Sequence, residues 1–161
     1  CGPHRRGHTR PQGHNGPMLF PSITGTSLNG DHVRIPEDLP DPCVLLLAFK
    51  QGQQSDIDAW IAALEAAGVD ALFELPMLGA KWRPFRTVID GGMAANIADG
   101  AVRERTITVY GQIGPVEQAL ELPNRAQVYA VVISAGQVQC IQAGPPHDTQ
   151  DVVTAWRASG H

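Results

Sequence analysis

The sequence is poor in the residues that build covalently or metal-stapled scaffolds. It has 3 cysteines in 161 residues. There is no Cys-x-x-Cys and no cysteine pair at zinc-ligand spacing, which excludes a disulfide-built scaffold and argues against a zinc ribbon or finger. Charge is sparse as well, 17% of residues, and its balance is acidic, -4 with histidine neutral. The bulk field therefore does not attract a polyanion, and no nucleic-acid partner is expected. No apolar run approaches the ~20 residues that cross a bilayer as a helix. Gly-x-Ser-x-Gly elbow, phosphate-binding loop and dinucleotide fingerprint are all missing, and His32 and His147 stand at no spacing that makes a metal site. No metal and no cofactor are expected. What is present is 43% apolar residues, enough for one compact core in a chain too short for two ordinary domains.

Glycine and proline gather at one end. Residues 1–17 carry Gly or Pro at 2, 3, 7, 11, 13, 16 and 17, with Arg5, Arg6, Arg10, His4, His8 and His14 between them and no apolar periodicity. Such a stretch cannot bury enough surface to offset about 1–2 kcal/mol of backbone entropy per residue. It is expected to be a disordered leader to a domain over 18–161. Cys1 leaves two readings open. It is either the lipid-bearing terminus left when a bacterial lipoprotein signal is removed, which would set the domain at the cell envelope, or a fragment edge, since Gly16-Pro17-Met18 looks like a protease-site remnant joined to a start Met. Membrane contact is expected only through such a lipid.

The body reads as alternating strands and helices. Ser22–Gly25 and His32–Ile35 flank Asn29-Gly30, a hairpin turn signal. Cys43–Phe49 is apolar without alternation, the pattern of a strand buried on both faces. A polar loop, Lys50–Gln54, leads to Ser55 as expected N-cap of a helix whose Ile57, Trp60, Ile61 and Leu64 form one stripe ended by Gly68. Ala71–Met77, marked by Pro76, is expected as a strand nearer an edge. Residues 82–100 are expected to hold a helix, with Gly91-Gly92 as a kink, a break or a contact point. Arg105–Tyr110 alternates at period two, Pro115–Leu122 is a short helix, Tyr129–Ser134 and Val138–Ala143 form a hairpin through Ala135-Gly136, and His147–Ser159 closes as a helix.

A buried strand, a polar loop opening a helix, a further strand–helix unit and a closing hairpin plus helix resemble the thioredoxin-like fold. The preceding N-terminal hairpin is similar to its peroxiredoxin and TlpA-like branch. The stretch Phe49-Lys50-Gln51-Gly52-Gln53-Gln54-Ser55-Asp56-Ile57-Asp58-Ala59-Trp60 resembles the Phe-x-x-x-x-Gln-x-x-x-Asp-x-Trp segment of the mitochondrial ATP-synthase assembly-factor family and its bacterial relatives. The resemblance implies a three-layer α/β/α sandwich with a mixed central sheet, and a role in helping a membrane-associated complex form.

Two landmarks of thioredoxins are missing. Where they keep Cys-x-x-Cys at a helix tip, this chain has Gln51, Gly52, Gln53, Gln54 and Ser55, and no thiol there can attack a disulfide or a peroxide. Where they keep a cis-proline before the strand beside that loop, the residues before Tyr129 are Asn124–Val128, with Pro123 too early. Cys43 and Cys140 lie among apolar neighbours, which makes a thiol inert, and a bond between them is not expected because another strand should separate theirs. No catalytic residue is expected. The reading is a non-redox binding or assembly-assisting module for a protein or peptide. Its candidate contacts are Lys50, Gln51, Gln53, Gln54 and Ser55 at the helix tip, Trp82-Arg83 as an aromatic and cationic surface, and Arg105 as a grip for a carboxylate. Each also has an ordinary role as a solvated or capping residue, and Trp60 is expected in the core. Two rivals stand beside it: a thiol oxidoreductase or peroxidase using Cys43 or Cys140, and an envelope lipoprotein domain binding a small ligand.

Overall fold

The computed structural model describes residues 18–78 and 105–160. The leader, the helix expected over 82–100, Gly91-Gly92, Trp82 and Arg83 lie outside these residues. The chain opens with a hairpin of β1 (Ile23–Ser27) and β2 (His32–Ile35). Its turn is tied by the Ser27 hydroxyl, which accepts from the N–H groups of Asn29 and Asp31, while Gly30 supplies a φ of 94°, a conformation costly for residues with a Cβ. Next come β3 (Cys43–Ala48), a 3₁₀ turn over Gln51–Gln53, α1 (Gln54–Ala66) and β4 (Leu72–Leu78). After the undescribed stretch follow β5 (Ile107–Tyr110), α2 (Ile113–Leu120), β6 (Tyr129–Ser134), β7 (Gln137–Ala143) and α3 (Gln150–Ser159).

The strands form one 7-stranded mixed sheet in the order β2-β1-β5-β4-β3-β6-β7. β3 runs parallel to β4 and antiparallel to β6, and every residue of β3 is buried. One face carries α2 through Ile113, Val116 and Leu120, packed with Leu45, Leu47, Leu75 and Val131. The other carries α1 and α3 through Ile57, Trp60, Leu64, Val152 and Val153, packed with Val44, Leu46, Val132 and Cys140. Trp60 is wholly buried and its indole N–H donates to the Gly144 carbonyl at 2.8 Å, fixing α1 to the chain that leaves β7.

Four expectations are corrected. β4 is not near an edge but lies between β3 and β5. Pro76 fits there because the β4–β5 ladder, present at Glu74↔Thr106 and again at Met77↔Val109, is interrupted between them, where a missing N–H costs least. Ser55 is not the N-cap: α1 begins at Gln54, its cap position is Gln53, and no side chain caps it. β5 is buried along its whole length instead of alternating, since it lies between β1 and β4. The helices α2 and α3 start at Ile113 and Gln150, not at Pro115 and His147; the Asp148 carboxylate accepts from the Gln150 N–H at 3.0 Å, holding the approach to α3 as a turn.

Candidate binding site at the tip of the first helix

β3 delivers the chain to the edge of the core at Phe49, and the next residues must reverse it onto the α1 face. The turn is held from within by Gln53, which is 7% exposed. Its side-chain oxygen accepts from the Phe49 N–H at 2.7 Å and the Lys50 N–H at 3.3 Å. Its amide nitrogen donates to the Arg125 carbonyl at 2.9 Å. One carboxamide thus satisfies donors left by the end of β3 and reaches across to the loop that enters β6. This explains why the helix does not start at Ser55: Gln53 draws the preceding residues into a 3₁₀ turn, and the helix follows directly.

The facing loop is organised by the same small set of groups. The Tyr129 hydroxyl donates to the Asn124 carbonyl at 2.8 Å, and the Asn124 side chain accepts from the Ala126 N–H at 2.9 Å. Tyr129 also meets Phe49 edge to face, ring centroids 6.1 Å apart. The Arg125 guanidinium forms a two-point pair with the Glu117 carboxylate, both contacts at 2.8 Å. Each partner favours the other's charge, so the Glu117 carboxyl is held below its ordinary range and the Arg125 guanidinium above its own. Beside this pair lies a shallow cleft of about 680 Å³ between α2 and Leu122-Pro123.

The expected site residues therefore divide. Lys50, Gln54 and Ser55 are exposed at the tip. Gln51 stands on the same turn. Gln53 is turned inward and acts on the protein's own backbone. Arg105 is placed elsewhere, pairing with Glu65 near the end of α1 at 2.6 Å, which is why it is no free grip for a carboxylate. Glu74, Asn124, Arg125 and Tyr129 were not legible as part of this region, although Glu74 is the one charge in the apolar run of β4. Its carboxylate, 8% exposed, accepts from the Gln54 amide at 2.8 Å.

The described cysteines lie away from the tip. Cys43 starts β3, 1% exposed and free, and burial followed by the Asp41 charge pushes its thiol up to about 12. Five steps along the strand, at ~3.3 Å each, separate it from Ala48 by roughly 17 Å. It floors a cleft of about 410 Å³ at the opposite pole, whose lining includes Glu37 and Asp41 and no cation. Cys140 is buried on the other face of the sheet, with β6 between its strand and that of Cys43, and it is disulfide-bonded, which corrects the expectation of an inert core thiol there. The two interior cysteines are not bonded to each other, as the strand order requires. The residue entering β6 is Val128, and the cis peptide bonds among the described residues precede Pro36 and Pro42, at the far pole. Among the described residues no cluster of His, Cys, Asp and Glu is arranged to hold a metal ion, and no helix is long and apolar enough to cross a membrane.

No family profile matches the sequence, and no curated protein matches it. Solved structures do. A protein of Aquifex aeolicus named for electron transfer superposes with a TM-score of 0.60 at 13% identity, over 89% of this chain and 95% of that one. BsSco, of the Sco family of cytochrome c oxidase assembly proteins and described as carrying a disulfide switch, gives 0.58 at 11% identity over 89% and 95%. A thio-disulfide isomerase of Thermus thermophilus gives 0.56 at 15% identity over 89% and 96%. At such identities the likeness speaks of architecture, and it agrees with the mixed sheet, the helix after β3 and the closing hairpin. The chain has a thioredoxin-like α/β fold.

Proposed function

We propose that this thioredoxin-like module binds a protein or an extended peptide, works without thiol exchange, and assists the assembly of a membrane-associated complex. One observation carries the reading: the helix tip where thioredoxins hold an attacking sulfur is occupied by Gln53, whose carboxamide is spent on the protein's own backbone. A thiolate at a helix N-terminus is a nucleophile because the helix lowers its pKa; a carboxamide has no such state. Cys43 cannot substitute, being buried, remote from the tip and protonated at any ordinary pH. A firm turn bearing exposed Lys50, Gln54 and Ser55 is suited instead to present a fixed surface, because ordering costs are met before binding. The resemblance of residues 49–60 to ATP-synthase assembly factors, and the Sco protein among the structural neighbours, support an assembly role.

The test is insulin reduction and peroxide turnover by the wild type and by the Cys43→Ser, Cys140→Ser double variant, alongside photo-crosslinking from positions 50 and 55 and from position 41 at the opposite pole. Equal, background turnover in both proteins and a discrete crosslinked species from the tip alone are expected. Thiol-dependent turnover overturns the non-redox reading, and a discrete crosslink from position 41 instead of the tip overturns the placement of the surface.

A further inference from the structure

Glu74 is a buried carboxyl that forms no ion pair among the described residues. It sits in the middle of the sheet, register partner to Leu46 of β3 and bridged to Thr106 before β5. Its hydrogen-bond partners are neutral: the Gln54 amide on one oxygen at 2.8 Å and the Thr106 hydroxyl on the other at 3.4 Å. The charged groups that face it do not neutralise it. From α1 comes Asp58, of like sign; from the approach to β5 comes Arg105, already paired with Glu65. β3 contributes only apolar side chains. The Gln54 amide is also divided, donating to the Asp58 carboxylate at 2.9 Å as well as to Glu74.

We propose that Glu74 is a proton switch for the helix tip: with a proton on its carboxyl the first turn of α1 stays docked on β4 through Gln54, and loss of that proton to solvent loosens the turn. An ionised carboxylate in an apolar layer needs several strong donors or a counter-charge, and it draws in water when it has neither. On the α1 side the carboxyl is met by the Gln54 amide, so displacement of the first turn of α1 would open it to water. Two residues beyond Thr106 on the same strand, the buried Thr108 hydroxyl has no hydrogen-bond partner among the described residues. Burial, the largest influence on the group, holds its pKa above the ordinary 4.5 with help from Asp58 and against the hydrogen bonds from Gln54 and Thr106 and the charge of Arg105, so the transition lies above 4.5. Gln54 adjoins Gln53, so the proton is linked to the geometry of the proposed binding surface. The inference deepens that reading, and its test needs no partner.

The experiment follows the backbone amide shifts of Gln53, Gln54 and Ser55, together with the Glu74 side-chain carbon, in a pH titration of the wild type, Glu74→Gln and Gln54→Ala. In the wild type the tip amides and the Glu74 carbon are expected to share one midpoint above 4.5. Glu74→Gln puts a neutral group in place, whose one oxygen accepts from the Gln54 amide while its NH2 donates to the Thr106 hydroxyl, reversing that bond, and should abolish the tip transition. Gln54→Ala should leave the Glu74 transition in place and uncouple the tip from it, which keeps the proposal testable if the first variant does not fold. Tip amides that stay flat while Glu74 titrates overturn it, as does a tip transition that survives in Glu74→Gln. Failure of the crosslinking experiment above would leave this titration unaffected, so the two readings fail separately.

Discussion

Gln53 does two opposite things with one planar group, accepting from two backbone donors and donating to a backbone carbonyl 72 residues away. Removing it strands part-buried backbone groups, and an unsatisfied buried group costs about 1–3 kcal/mol. Gln53→Ala is therefore expected to lower the unfolding free energy obtained from urea melts by about 1–3 kcal/mol in total. Gln53→Glu should do no better, because a carboxylate still accepts from Phe49 but sets a second acceptor against the Arg125 carbonyl. A Gln53→Glu protein as stable as wild type at neutral pH would show that the clamp is dispensable. Cys43 makes a contrasting prediction. A thiol held up at about 12 and 1% exposed presents almost no thiolate, and the thiolate is the reactive species. Intact-mass measurement after treatment with a thiol alkylator should find Cys43 unmodified in the native protein and modified in denaturant; rapid native labelling would contradict the packing described for β3.

At the scale of elements, the join between the N-terminal hairpin and the central sheet rests on close approach. A Cβ on Gly25 would lie 2.6 Å from the Ile107 methyl and 2.8 Å from the Thr108 carbonyl. The second is backbone and cannot swing aside without opening the β1–β5 pairing. Gly25→Ala should cost about 1–3 kcal/mol, as overpacking does. Gly52→Ala, with nothing within 4 Å of its Cβ, serves as the control and should be neutral or stabilise by up to about 1 kcal/mol through the unfolded chain. Urea melts of both variants check the pair, and equal effects would refute the argument. The same close contact explains what could be read from the sequence. Periodicity exposed the elements themselves, since the unbroken apolar run of β3 and the stripe of Ile57, Trp60 and Leu64 report burial directly. It did not disclose the central position of β4, because Pro76 signals a lost hydrogen bond without saying which neighbour lacks it. The tip was legible as a place where no sulfur stands. Gln53 as a clamp was not, because glutamine in a polar loop has the same composition whether it faces water or reaches across to Arg125.

For the whole molecule, two sets of carboxyls act on stability with opposite pH consequences. Glu37 and Asp38 are held below their ordinary values by the Ser22 hydroxyl and by Arg34, and Glu117 by Arg125. Groups depressed in the folded state add stability above their unfolded pKa and lose it as pH falls through the folded one; here they are exposed, so solvent screening keeps the contribution small. Glu74 is raised in the folded state by burial. Its contribution is complete below the unfolded value of 4.5 and is lost as pH rises through the folded pKa, because the native state must then hold an unpaired charge that the unfolded chain solvates freely. The contribution of Glu74 should therefore decline as pH rises above 4.5, opposite in sign to that of the depressed carboxyls. Thermal melts across that range are the measurement, and for a domain of this size each kcal/mol corresponds to about 2–4 °C in Tm. Glu74→Gln should remove the decline and melt higher than wild type at neutral pH, while matching it where Glu74 is already protonated. If both proteins instead keep the same slope, the decline belongs to other groups, and the carboxyl between Gln54 and Thr106 is solvated well enough to carry its charge.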